Sequence, residues 1–231
     1  MHHSIIGTTL PAVEFHLGAG ESVIADSGEL SWMTDSIGLR TTVAGGGAKG
    51  LFGAVKRAMG GGTLFLTEFK ANGAPGSVTF ATKMPGQILP VTLEPGVGYK
   101  VHRHGFLAGT PGIEVTADLQ KGIRAGLFGG EGFVLQWLRG QAQAWVGLAG
   151  EVVVKDLQPG ESMRVHPGHV GMFEERVHFT IELLPGVANK LFGGDGLFVA
   201  KLQGPGRIWL QTLPLPNLAH ALLPYLPAGE K

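Results

Sequence analysis

Three leucine-to-phenylalanine intervals in this chain have the same length. Leu17 precedes Phe52, Leu93 precedes Phe128 and Leu157 precedes Phe192 by 35 residues each. Each leucine ends an apolar stretch that runs into a glycine turn: Val13-Glu-Phe-His-Leu17-Gly-Ala-Gly20, Leu89-Pro-Val-Thr-Leu93-Glu-Pro-Gly96 and Val153-Val-Lys-Asp-Leu157-Gln-Pro-Gly160. Each phenylalanine sits in a Leu-Phe-Gly triplet, at 51–53, 127–129 and 191–193. A unit of this size cannot close a core alone, so successive units must share their burial. The spacing predicts a single compact domain over 1–231 with internal repeats at about 10–85, 86–150 and 151–214.

Within each unit the pattern is that of short strands. The second and third units read Gly132-Phe-Val-Leu-Gln-Trp-Leu-Arg-Gly140 and Gly196-Leu-Phe-Val-Ala-Lys-Leu-Gln-Gly204 after the triplet, and Trp145 falls opposite Trp209. The first unit fits with six residues inserted around Ala54 to Met59, giving Gly62-Thr-Leu-Phe-Leu-Thr-Glu-Phe69, a hairpin at Asn72 to Gly76 and a strand from Val78 to Thr82. With 39 Gly and 14 Pro spread along 231 residues, long helices are excluded, because Gly costs about 1 kcal/mol and Pro about 3 kcal/mol inside a helix. The expected class is all-β, with four to six short strands per unit. One helix is expected at about 216–226, with Asn217 as its N-cap and Leu218, Leu222 and Leu226 on one face, covering the last open edge.

Lys plus Arg and Asp plus Glu number 18 each, so the formal net charge is zero. That removes the general field on which nucleic-acid binding relies, and no DNA partner is expected. With a mean hydropathy of +0.19, an uncharged monomer is poorly protected against association, and a homo-oligomer is expected. A protein partner is compatible with this surface. The absence of Cys excludes disulfides and thiol chemistry. No apolar run is long enough for a transmembrane helix, the N-terminal residues do not read as a signal peptide, and a cytoplasmic protein is expected.

The Leu-x-x-Gly-Glu turns at 17–21 and 157–161, the glycine-flanked stretch Gly45-Gly-Gly-Ala-Lys-Gly-Leu-Phe-Gly-Ala-Val-Lys-Arg57 and the strand Gly62 to Phe69 together resemble the altered-inheritance-of-mitochondria family, a group labelled a domain of unknown function. The resemblance covers about residues 5 to 226. It implies β subdomains similar to the trp RNA-binding attenuation protein, a short form of double-stranded β-helix, in a pseudo-threefold arrangement. The family has no established catalytic residue, so the resemblance supplies no catalytic or cofactor-binding residue here and leaves the cofactors unknown. RNA binding is suggested by fold analogy alone, which does not carry function.

Histidine is the chemically suggestive residue. Superposing the units puts Asp26, His102 and His166 at one position, with His104 close by. If the units close around an axis, two imidazoles and a carboxylate could meet there as ligands of a divalent metal. The plainer reading is that each residue ends a strand at a turn: Ala25-Asp-Ser-Gly28, Val101-His-Arg-His104 and Val165-His-Pro-Gly168. A cupin-type enzyme is weakened by Ala108 and Gly109 standing where its carboxylate should follow His102-x-His104. Gly45 to Gly50 fits a dinucleotide fingerprint in letters only, since no βαβ pattern surrounds it. Lys49, Lys56 and Arg57 among Leu51, Phe52, Val55 and Met59 allow weak peripheral membrane contact through 49–59, although docking on the chain's own sheet is the commoner outcome. Glu131 and Asp195 read as turn formers, and Phe52, Phe128, Phe192, Trp145 and Trp209 as packing residues. The leading expectation is therefore a non-enzymatic structural or interaction protein. The alternative is a metal- or small-molecule-binding β protein built on Asp26, His102, His104 and His166.

Overall fold

The computed structural model describes residues 1–43, 65–119, 134–184 and 197–225. After β1 (His2–Ile6), the strands fall into three sets of six. The first is β2 (Ala12–Leu17), β3 (Ser22–Ala25), β4 (Leu30–Met33), β5 (Ile37–Val43), β6 (Phe65–Ala71) and β7 (Gly76–Ala81). The second is β8 (Gly86–Leu93), β9 (Tyr99–His102), β10 (Phe106–Gly109), β11 (Ile113–Leu119), β12 (Val134–Gly140) and β13 (Ala142–Ala149). The third is β14 (Val152–Leu157), β15 (Ser162–Val165), β16 (Val170–Glu174), β17 (His178–Leu184), β18 (Leu197–Gln203) and β19 (Gly206–Gln211). One α-helix, α1 (Leu215–Leu222), follows among the described residues, and a 3-10 turn at Leu223–Tyr225 continues it. The chain is thus all-β with a short C-terminal helix, as its glycine and proline content requires.

One pairing order serves every set. The sixth strand lies between the first and third, and the fifth lies between the fourth and second, giving β2-β7-β4 with β5-β6-β3, β8-β13-β10 with β11-β12-β9, and β14-β19-β16 with β17-β18-β15. Sets are joined where the second strand of one pairs antiparallel with the third strand of the next, at β3–β10 and β9–β16. The third strand slips register by one residue against the sixth at the same place each time: between Leu30 and Trp32, Phe106 and Ala108, and Val170 and Met172. A bulge re-aims the residues that follow it.

Local chemistry explains the turns. Gly20, Gly96 and Gly160 have φ of 86°, 81° and 82°, a left-handed conformation that only glycine adopts without strain. In two of these turns a glutamate tightens the corner: Glu21 Oε2 accepts the Gly18 N–H at 2.7 Å and Glu161 Oε2 accepts that of Gln158 at 2.8 Å. Strand alternation then fills the core. In β2, Val13, Phe15 and Leu17 are buried while Glu14 and His16 are half-buried on the other face.

Each set has its own apolar cluster, and neighbouring sets contribute residues to it. The first cluster holds Phe15, Phe69 and Phe80, but also Ile88, Leu107, Ala108 and Trp145 from the second set. The second cluster takes Leu66 from the first set and Met172 from the third, with Trp209 and Val152 packed against it. The third includes Leu135 from the second set, while its own Met163, Val165, Phe179 and Ile181 are only partly buried. This sharing is the physical consequence of strands whose two faces both carry apolar residues.

Helix α1 begins one turn earlier than Asn217 as N-cap requires. Asn217 and Leu218 both donate their N–H to the Pro214 carbonyl, so Asn217 lies in the first helical turn. Pro216 is tolerated there because its missing N–H would have no helical partner anyway. Leu222 is 49% exposed, so the expected apolar face is not packed at that position, and Leu226 lies outside the described residues. The Leu-Phe-Gly triplets, with Phe52, Phe128 and Phe192, the glycine-rich stretch 44–61, and Glu131 and Asp195 also lie outside them.

Candidate functional site

Asp26, His102 and His166 end or directly follow the second strand of each set, and each carries the same backbone turn. The carbonyls of Asp26, His102 and His166 accept the N–H of Glu29, Gly105 and His169 at 3.0, 2.8 and 2.9 Å. Their side chains differ. Asp26 Oδ1 accepts the Gly28 N–H at 2.9 Å, which makes it a local turn former.

His102 is half-buried, and its Nε2 donates to the Gly147 carbonyl of β13 at 3.1 Å. Burial pushes its pKa down to about 4; the Gly147 bond opposes this and the neighbouring His104 reinforces it. The imidazole is therefore neutral near pH 7, with its proton on Nε2 and its position fixed by the second and sixth strands of its own set. Gly105 lies against this ring, because a Cβ there would collide with Val101 and stand 3.0 Å from His102 Cδ2.

His104 is held below its ordinary pKa by burial, then by the charges of Arg103 and Lys83. His166 is lowered by burial and by His169, whose ring stands edge-on to it at 5.9 Å. His169 Nδ1 in turn donates to the Gln211 carbonyl at 2.7 Å. Gln211 is the polar knot of the region: its side chain accepts from Ala149 N–H at 3.0 Å and donates to the Gly168 carbonyl at 3.0 Å. Sequence reasoning missed it, because Gln211 ends a strand with no motif around it and joins segments from two sets.

A cavity of about 450 Å³ opens among these turns. Lys83, His102, Arg103, His104, Leu148 and Gln211 all line it, and Leu215 of α1 stands at its wall. Lys83 is itself paired with Glu29 at 2.6 Å. The cavity thus gathers His102 and His104, with Pro167 and Gly168 beside His166, while Asp26 is not among its lining residues. No three His, Asp or Glu side chains among the described residues lie where they could hold one metal ion.

The strand order and these turns define a class: an all-β protein of serially joined antiparallel sets, with two turn histidines, His102 and His169, hydrogen-bonded to backbone carbonyls. A family model described as mitochondrial biogenesis AIM24 matches residues 3–213, and the chain belongs to that family. It is similar to an uncharacterized protein of Streptococcus pyogenes serotype M6, at 29% identity over 224 residues, covering 95% of this chain and 88% of the relative. It is also similar to a crystallographically solved Streptococcus pyogenes protein, with 26% identity and a TM-score of 0.76, covering 97% of this chain and 99% of the other. Among the described residues no helix is long and apolar enough to cross a membrane.

Proposed function

We propose that this protein is a non-enzymatic structural unit that acts by associating with other copies of itself. The observation that supports this most directly is the unequal finish of its cores. The first two clusters take buried residues from the set that follows, Trp145 and Met172 among them, whereas the third has no following set, holds the fewest buried residues among those described and leaves Leu183 53% exposed beside it in sequence. Apolar residues left uncovered at the end of a series of joined sets mark an interaction surface. In this reading the three sets are one attenuation-protein-like unit used three times. Light scattering on the purified protein at micromolar concentration tests it: a mass that is a multiple of 24.2 kDa is expected, and a 24.2 kDa particle throughout overturns it.

The cavity favours a second reading, a small-molecule- or metal-binding protein using His102 and His104, the two histidines that line it. Its volume falls in the range of small-ligand pockets, which run from roughly 300 to 1,000 Å³. Elemental analysis of protein purified without a histidine tag separates the two. Stoichiometric transition metal that is lost in His102→Ala supports the second reading, and metal-free protein removes its metal form.

A further inference from the structure

We propose that β15 of one molecule pairs antiparallel with β4 of a second copy of this chain, placing Val165 opposite Trp32 and Arg164 opposite Met33. The inference rests on the self-association proposed above and specifies which surfaces meet.

The pairing order within the chain carries it. The second strand of the first set pairs with the third strand of the second, and the second strand of the second set pairs with the third strand of the third. Continuing that order requires the second strand of the third set, β15, to pair with the third strand of a first set, β4. Among the described residues the two have no such neighbour: β15 is the end strand of β15-β18-β17, and β4 the end strand of β1-β2-β7-β4. The described strands therefore leave one such edge of each kind unpaired, and the two are complementary rather than identical. An interface of that type is heterologous, so it closes into a ring or extends into a filament according to the rotation per copy.

The register follows from the two existing junctions. Ala108 lies opposite Ala25 at one, and Met172 lies opposite Val101, with Phe173 opposite Lys100, at the other. Matching the bulges of the third strands puts Trp32 at the place of Ala108 and Met172. Matching the turns after the second strands puts Val165 at the place of Ala25 and Val101.

Burial agrees on both sides of the proposed contact. Ala108 and Met172 are fully buried, whereas Trp32 is 54% exposed. Ala25 and Val101 are fully buried, whereas Val165 is only partly so. The side chain with no cover and the cluster with an open side are thus the two halves of the junction that the chain makes twice internally. A second copy supplies both a strand for each edge and an indole for the open third cluster, by the same main-chain pairing that adds strands to sheet edges elsewhere.

Because the chain contains no Cys, engineered thiols report the contact without background. The full-length variant carrying Met33→Cys with Arg164→Cys places the two cysteines directly opposite each other in the proposed register, where side chains lie about 5 Å apart. Mild oxidation is expected to give dithiothreitol-sensitive dimers and higher bands on denaturing gels. The single variants give at most a trace, and Met33→Cys with Met163→Cys, one residue out of register, gives several-fold less. If the protein is oligomeric by light scattering but the in-register pair does not cross-link, self-association stands and this edge pairing is wrong. A disulfide formed within one chain places β4 and β15 together in a single molecule and also overturns it. Monomeric protein overturns both proposals. A circular dichroism spectrum of the reduced double variant matching that of the parent, with a cooperative thermal transition, confirms that a negative result does not come from misfolding.

Discussion

Trp32 lies opposite Thr79 across β4 and β7 as Met172 lies opposite Trp209 across β16 and β19, yet Trp32 is 54% exposed and Met172 is fully buried. The same strand position is interior in one set and surface in another because only Met172 has a preceding set to pack on. In dilute, dissociated protein, Met172→Ala is expected to cost about 2–5 kcal/mol, as buried truncations do. Trp32→Ala is expected to cost about 1–2 kcal/mol, since only about half of its side chain is covered. Urea unfolding of the two variants at low protein concentration measures the contrast.

Trp145 presents a different imbalance. It is fully buried against Phe15, edge-on at 4.6 Å, and against His3 at 4.8 Å, but its indole Nε1 has no hydrogen-bond partner. Trp145→Phe keeps an aromatic side chain there and removes the unpaired donor, whose burial costs about 1–3 kcal/mol. It should therefore change stability by less than about 1.5 kcal/mol, whereas Trp145→Ala should cost about 3–5 kcal/mol. Equal losses for both variants in chemical denaturation would contradict this.

The three left-handed turn glycines allow a comparison without steric confusion. A Cβ on Gly20, Gly96 or Gly160 would meet nothing within 4 Å, so alanine there suffers only the backbone penalty of about 1–2 kcal/mol. The three variants should lose similar stability. Gly140→Ala should lose more, because its Cβ would strike the Gly112 carbonyl oxygen as well as adopting a φ of 110°.

His102 gives the fold a pH dependence with a definite sign. Its pKa is about 4 in the folded chain against an ordinary value of 6.5, so the unfolded chain binds more protons between those values. Its contribution is fully present above about pH 6.5 and is lost as pH falls toward 4, amounting to about 3 kcal/mol. His104 and His166 are shifted in the same direction by burial and add to the trend. His102→Gln retains an amide donor for the Gly147 carbonyl, does not titrate, and should flatten the stability profile in that window. A profile as steep as the parent's would remove His102 as a cause.

Much of this architecture was legible because its determinants are local. The turn at Gly20, Gly96 and Gly160 is written in glycine, and the alternation of Val13, Phe15 and Leu17 states which face is buried. Equivalence of Asp26, His102 and His166 correctly indicated like turns, but like backbone does not bring side chains together. Asp26 uses its carboxylate on Gly28, and His102 donates to Gly147, a partner 45 residues away that no motif announces. Exchange of strands between sets was equally hidden, since pairing β3 with β10 depends on contacts far apart in sequence. Asn217 lies inside the first turn of α1 rather than at its N-cap, because a first turn accepts Pro216 readily.

Sedimentation velocity of the parent chain and of Trp32→Lys, across a range of micromolar concentrations, tests the open-ended series of sets most directly. A charge turned toward a neighbouring sheet is a strong block to edge pairing. The parent should sediment as a multiple of 24.2 kDa, and the variant, with an unchanged circular dichroism spectrum, as the 24.2 kDa protomer. A parent that sediments as a single protomer at every concentration, or a variant that associates as the parent does, would contradict it.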